Sequence, residues 1–194
     1  MEYVSKKGTY QISGDKFIIN LNRNISNTNE LYNKRNDIID YSNDNNKIIE
    51  ILEITQNSIT TKYYNSWYPL LITHQNKIFY DESMCELIAN RYMTLLNDIE
   101  KAKKLYSDIC SEYDKFTEAT GLAFNDRAAN NILVNNDLSD FRIIDVGSID
   151  INKHTVLSKN VYKHILGYYS WKHVYSKYLQ QDQIDNLLIN NQGN

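Results

Sequence analysis

The sequence predicts an α+β fold built of two unequal parts, and three observations predict it. Short strand-like runs separated by polar turns fill the first sixty-odd residues. An uninterrupted helical pattern then covers residues 84–116, with apolar side chains such as Ile88, Tyr92, Leu95, Ile109, Tyr113 and Phe116 at three- and four-residue spacing. Two brief apolar runs and further helical patterns follow. Strands first and helices afterwards favour segregated α+β over a doubly wound sheet.

Residues 10–12 and 17–21 carry aromatic and β-branched side chains around Ser13-Gly14-Asp15, which reads as a hairpin. Residues 29–41 mix Leu31, Ile38, Ile39 and Tyr41 with charges and read as a short helix. Asn43 to Asn46 break it. Residues 47–55 and 58–64 are strand-like and leave Gln56-Asn57 as a tight turn. Residues 65–80 hold the only proline, Pro69, and read as a linker followed by an extended piece at 77–80. The 84–116 pattern contains no glycine or proline, so it is one long helix or two joined end to end. Gly121 is placed to help end it. Residues 131–134 and 141–145 are apolar runs around the turn Asn135-Asn136-Asp137. Helices are expected over 161–179 and 183–188.

Composition excludes several classes. The 194 residues are 42% hydrophobic and 23% charged, as in a globular protein. A net charge of −3 gives no basic footprint for nucleic acid. No apolar run approaches the roughly 18 residues that span a bilayer, and residues 1–10 lack the apolar stretch of a secretory signal. Two lone cysteines, Cys85 and Cys110, fit a reducing compartment such as the cytoplasm and supply no structural zinc site. The short Asn-rich pieces reflect an AT-rich coding sequence. His164 and His173, nine residues apart on one expected helix, do not face each other as a metal pair. The aromatic cluster around Trp171 reads as packing. The run from Tyr63 to Tyr68 lines either a nucleotide pocket or an ordinary core.

The chemistry concentrates in residues 124–147. Asp126 lies five residues before Asn131, and Asp145 fourteen after it, followed by Val146-Gly147. Two short antiparallel strands joined by the 135–140 turn bring Asn131 and Asp145 to the same end of a hairpin, with Asp126 on the entering loop. Phosphoryl transfer needs such a set. Magnesium takes hard oxygen ligands, and a separate carboxylate orients the attacking hydroxyl and accepts its proton. Asp145 and Asn131 suit the metal, and Asp126 suits the base.

The pattern of Asp126, then Asn131-Ile132-Leu133-Val134, then Ile143-Ile144-Asp145-Val146-Gly147 resembles the protein-kinase-like superfamily. The resemblance implies a two-lobed fold, with a small β-rich lobe over residues 1–66 and a reduced helical lobe over 67–194. It implies ATP and Mg²⁺ as cofactors. Asp126 is then the catalytic base, Asn131 and Asp145 are the metal ligands, and Gly147 lets the loop turn. Residues 63–66 fall at the hinge between the lobes.

Several positions depart from the family. Phe124-Asn125 stand where His-Arg is usual, Ala128 replaces a lysine, and Val146 replaces a phenylalanine. The first lobe offers only Lys7-Gly8-Thr9 and Gly14 for a phosphate loop, so Gly8 is the candidate there. The expected lysine position of the third strand reads Asn20. Lys34, Lys16 or Arg23 are substitutes, with Glu30 or Asp37 as acidic partner. Gly8, Lys34 and Gly147 are thus the nucleotide-binding candidates.

The resemblance implies a minimal protein Ser/Thr kinase, constitutively active or switched on by a protein partner, acting in a cytoplasm or delivered into that of a host cell. Two alternatives remain: an inactive, kinase-shaped protein-binding module, and a phosphotransferase acting on small molecules.

Overall fold

The turn at Gly14 organises the first sheet. In the structure, a computed structural model that describes residues 2–4, 8–22, 30–72 and 80–151, Gly14 sits at φ +61°, which glycine adopts without steric cost. It joins β2 (Gly8–Ser13) to β3 (Lys16–Leu21) as an antiparallel hairpin. β1 (Glu2–Val4) pairs with β2 on the outer side. The helix read from residues 29–41 is two pieces, α1 (Glu30–Asn33) and α2 (Arg35–Asp44), and the asparagine run ends the second. β4 (Ile51–Ile54) and β5 (Ser58–Lys62) form the second hairpin. β5 returns to pair with β3, giving an antiparallel sheet of order β1-β2-β3-β5-β4.

Cross-strand register assigns the faces of this sheet. Directly opposed residues share a face. Ile19 opposes Ile59 and Phe17 opposes Thr61, and Ile59 and Thr61 are buried. The inner face of β3 therefore carries Phe17, Ile19 and Leu21. Lys16 and Asn20 fall on the other face and are exposed.

Two expectations are corrected here. The strand expected from residue 47 begins only at Ile51, because residues 47–49 leave the first sheet for another partner. Ile49 N–H donates to Ile143 O at 2.9 Å, Ile143 N–H donates to Lys47 O at 2.9 Å, and Ile48 bridges Ile143 in parallel. The linker expected from residue 65 is partly core. β6 (Tyr68–Pro69) is the edge strand of a sheet of order β6-β8-β9, the position where proline does least harm. Leu70, Leu71 and Ile72 behind it are buried.

The long helical pattern resolves as two helices joined end to end, α3 (Glu82–Asn97) and α4 (Ile99–Thr120). The joint is Asp98, whose carboxylate accepts from Lys101 N–H and caps α4, while its own N–H donates to Leu95 O. Gly121 ends α4 in the left-handed region at φ +71°. β7 (Leu122–Phe124) follows, then a 3-10 turn (Ala129–Asn131). β8 (Ile132–Val134) and β9 (Phe141–Ile143) form an antiparallel hairpin. A second 3-10 turn (Val146–Ser148) leads to β10 (Ile149–Ile151), which pairs back onto β7.

One buried cluster runs through these parts, from Leu31, Ile38 and Ile59 to Tyr113, Phe116 and Ile143. Among the described residues no helix is long and apolar enough to cross a membrane. The helices expected at 161–179 and 183–188, with His164, His173 and Trp171, lie outside the described residues, as do Lys7, Arg23 and most of 77–80.

Candidate functional site

Asn131 is the hub of the site. It closes the 3-10 turn after Ala128, a position fixed by its N–H bond to Ala128 O at 2.9 Å. Its residue is 9% exposed, so its amide has to find partners inside the protein. Asn131 Nδ2 donates to the main-chain oxygen of Asp126 at 3.2 Å and reaches Asp145 Oδ2 at 3.4 Å. Asn131 Oδ1 accepts from Asn130 Nδ2 at 2.9 Å. The three residues separated by five and fourteen positions are thereby gathered about one side chain.

The hairpin does this by main-chain register. Ile132 opposes Ile143, so the residues just outside that pair emerge at the same end. Ile144 N–H then donates to Asn131 O at 3.0 Å, which places Asp145 one residue further on. The following turn is held by Ser148, whose N–H and Oγ both donate to Asp145 O, at 2.9 and 2.8 Å. Asp126 is exposed on the loop from β7, and among the described residues its carboxylate has no hydrogen-bond partner.

Beneath the loop lies an aromatic cluster of edge-to-face and tilted rings. Phe124 meets Phe116 at 4.8 Å and Tyr113 at 5.6 Å between ring centres. Tyr41 of α2 meets the other side of Phe116 at 5.4 Å. Tyr113 is fully buried, and among the described residues its hydroxyl has no partner. Burial drives its phenol far above the usual range. The Arg127 charge pulls it back, and the Asp126 and Asp145 charges push it further up.

β9, which leads to Asp145, is anchored at its start as well. Asp140 binds Lys47 and Arg142 together. Burial alone would raise the Asp140 carboxyl, but the bonds from Lys47 and Arg142 outweigh it and hold the group below its ordinary value. The Arg142 guanidinium lies 4.6 Å from the Trp67 ring and 5.7 Å from Tyr64. These aromatic contacts are packing of the 64–67 turn on β9.

A second polar knot joins α2 to α4. Glu112 is 3% exposed and accepts from Tyr41 Oη at 2.9 Å and from Asn45 Nδ2. Burial first, then the Glu112 bond and charge, raise the Tyr41 phenol above its usual range, so it remains a donor.

The nucleotide-binding candidates have other neighbours. Gly8 opens β2, and any side chain there would run into the Asn20 carbonyl of β3, so close strand approach is sufficient reason for glycine. Lys34 donates its ammonium to Thr120 O at 2.6 Å, at the carboxyl end of α4 where a cation suits the helix dipole. Gly147 is in the second 3-10 turn. A methyl group there would meet Asp145 Oδ1 at 3.8 Å and Ile59 Cδ1 at 4.0 Å, which is ordinary contact. Of the acidic partners, Glu30 opens α1 and Asp37 is exposed in the first turn of α2.

Residues that sequence reasoning passed over are Arg127, Asn130 and Ser148. Each adjoins or lies near a motif position, and adjacency was their only signal. Among the described residues no group of three or more His, Cys, Asp or Glu could hold a metal. The oxygen donors that converge are Asp145 and the Asn131 amide. No protein-family model matches the chain, and no curated protein matches it either.

Proposed function

We propose that this chain is a small ATP- and Mg²⁺-dependent phosphotransferase with a protein-kinase-like, two-lobed fold, its lobes being residues 1–66 and 67–194. It moves the γ-phosphate to a hydroxyl, with serine or threonine of a protein as the first acceptor. The observation that carries the reading is the Asn131 side chain bonded to both Asp126 and Asp145. The order of elements supports it: a five-stranded antiparallel sheet with helices inserted between β3 and β4, then a long helix leading into the Asp126 loop.

Each residue has a task. Asp126, exposed and without a hydrogen-bond partner among the described residues, takes the proton of the acceptor hydroxyl as that hydroxyl's oxygen bonds the γ-phosphorus and the bond to the ADP oxygen breaks. Asp145 and Asn131 would hold the cation, which supplies charge neutralisation at the phosphates. Two protein oxygens suit magnesium, which keeps water and phosphate in its remaining positions. Nδ2 of Asn131 now faces Asp145. To present Oδ1 to the same cation the amide would turn over, giving up the Nδ2 bond to the Asp126 main-chain oxygen as well as the Asn130 bond.

A specific observation favours a second reading, a kinase-shaped binding protein without catalysis. The inner face of β3 is apolar, and Lys34 is bonded to the end of α4, so neither gives the phosphates a lysine. A third reading, a small-molecule acceptor, rests on Ala128 in place of the lysine usual beside the base.

The test is direct. ATP with magnesium should raise the melting temperature, and Asp145→Asn should abolish that rise. Radiolabel transfer should fall by about 10²-fold or more in Asp126→Asn with nucleotide affinity retained. No thermal shift at millimolar ATP and no transfer by the wild type would overturn the phosphotransferase reading. Binding without transfer would leave the second reading.

A further inference from the structure

The residue after the proposed base is an arginine, and it is held from two directions. Arg127 Nε donates to the main-chain oxygen of Phe124 at 3.0 Å. That bond closes a four-residue turn with Asp126 inside it. The guanidinium carbon also lies 4.8 Å from the centre of the Tyr113 ring. Tyr113 is buried on α4 and packs against Phe124, the same residue that accepts the Nε bond. One side chain thus ties the Asp126 turn to both a strand and a helix.

The rest of the turn is tied by other means. Asn125 N–H donates to Ser148 O at 3.1 Å, and Asn131 Nδ2 donates to Asp126 O. The main chain is fixed on each side of Asp126 while its carboxylate stays exposed. Arginine suits the clamp because Nε–H lies in the guanidinium plane and the face of that plane is free to stack. Lysine keeps the charge over the ring but cannot make the planar Nε bond. Methionine keeps only the length.

We propose that Arg127 is a positioning residue for Asp126: by clamping the 124–127 turn onto Tyr113 and Phe124, it aims the carboxylate at the acceptor hydroxyl. The inference rests on the phosphotransferase reading. It assigns Arg127 a role that touches neither nucleotide nor acceptor and acts through the turn.

The test separates aim from binding. Arg127→Met should lower kcat about 10- to 100-fold and leave KM for magnesium-ATP within about threefold, as expected when a reacting group is displaced by roughly an ångström. Tyr113→Leu, which removes the platform, should do the same, and the double variant should be no worse than either single one. Arg127→Lys should not recover the wild-type kcat. Should Tyr113→Leu fail to fold, the Arg127 variants decide the matter. An activity-independent readout is the nitrogen NMR signal of Arg127 Nε–H, expected to exchange slowly with water in the wild type. A wild-type kcat in Arg127→Met, full recovery by Arg127→Lys, or an Nε–H that exchanges as fast as an exposed guanidinium would overturn the proposal. If the wild type transfers no phosphate while Nε–H is still protected, the phosphotransferase reading falls and the clamp on the 124–127 turn stands as geometry alone.

Discussion

Asp140 shows how a single charge is used away from the chemistry. It draws Lys47 from the segment after α2 and Arg142 from β9 onto one carboxylate. Asp140→Asn should therefore cost roughly 1–2 kcal/mol at neutral pH, allowing for solvent screening of a side chain 28% exposed. The sign of its pH dependence follows from the depressed folded value. The carboxyl adds stability above its unfolded value near 4, and this is lost as pH falls through the lower folded value. The gap in melting temperature between wild type and variant should hold from pH 7 to about 4 and close below that. Thermal denaturation across that range checks it. The residue-level part of the site was partly legible in the sequence. The spacing of Asp126, Asn131 and Asp145 announced their convergence, because a hairpin needs only local pairing to deliver it. The partner of Lys34 was not legible, since Thr120 lies 86 residues away and offers only a main-chain oxygen.

At the scale of elements, local chemistry was readable wherever a turn or cap set the boundary. Gly14 and Gln56-Asn57 placed both hairpins, and Gly121 ended α4. The break at Asp98 is not legible in the sequence, because the apolar spacing continues through it and only the capping geometry divides the helix. The pairings of β6 with β8 and of β7 with β10 were not foreseen. These strands are two or three residues long, too short for a period-2 pattern to register. Two glycines differ at this scale. Gly121 is at φ +71°, so Gly121→Ala should destabilise by about 1–2 kcal/mol, with added crowding from Lys34 Nζ at 3.2 Å. Gly147 is outside the left-handed region with room for a methyl group, so Gly147→Ala should unfold at the same denaturant midpoint as the wild type. Urea titration of the pair distinguishes a glycine required by its backbone from one that is not.

Across the whole molecule, the aromatic cluster of Tyr41, Phe116, Phe124 and Tyr113 and the Glu112 knot bind α2 to the long helix beneath the site. An aromatic ring at position 124 has a physical account here. The position is buried between two rings, where an imidazole would lose apolar contact and need a new hydrogen-bond partner. Phe116→Ala, at the centre of that cluster, should cost about 3–5 kcal/mol, seen as a large fall in melting temperature.

The parallel seating of residues 47–49 on β9 has a consequence for how the chain is cut and rejoined. A strand edge offers its N–H and C=O groups to any segment of the right register, covalently attached or not. Residues 47–49 occupy that edge from a part of the chain that precedes the 64–67 turn, and Lys47 and Arg142 meet there on Asp140. The protein is therefore suited to splitting. Co-expressed pieces 1–65 and 66–194 should copurify as a stoichiometric pair, and replacing Ile49 by proline, which removes the donor to Ile143, should weaken the pair without separating it, since Lys34, Tyr41 and Asn45 still bind α4.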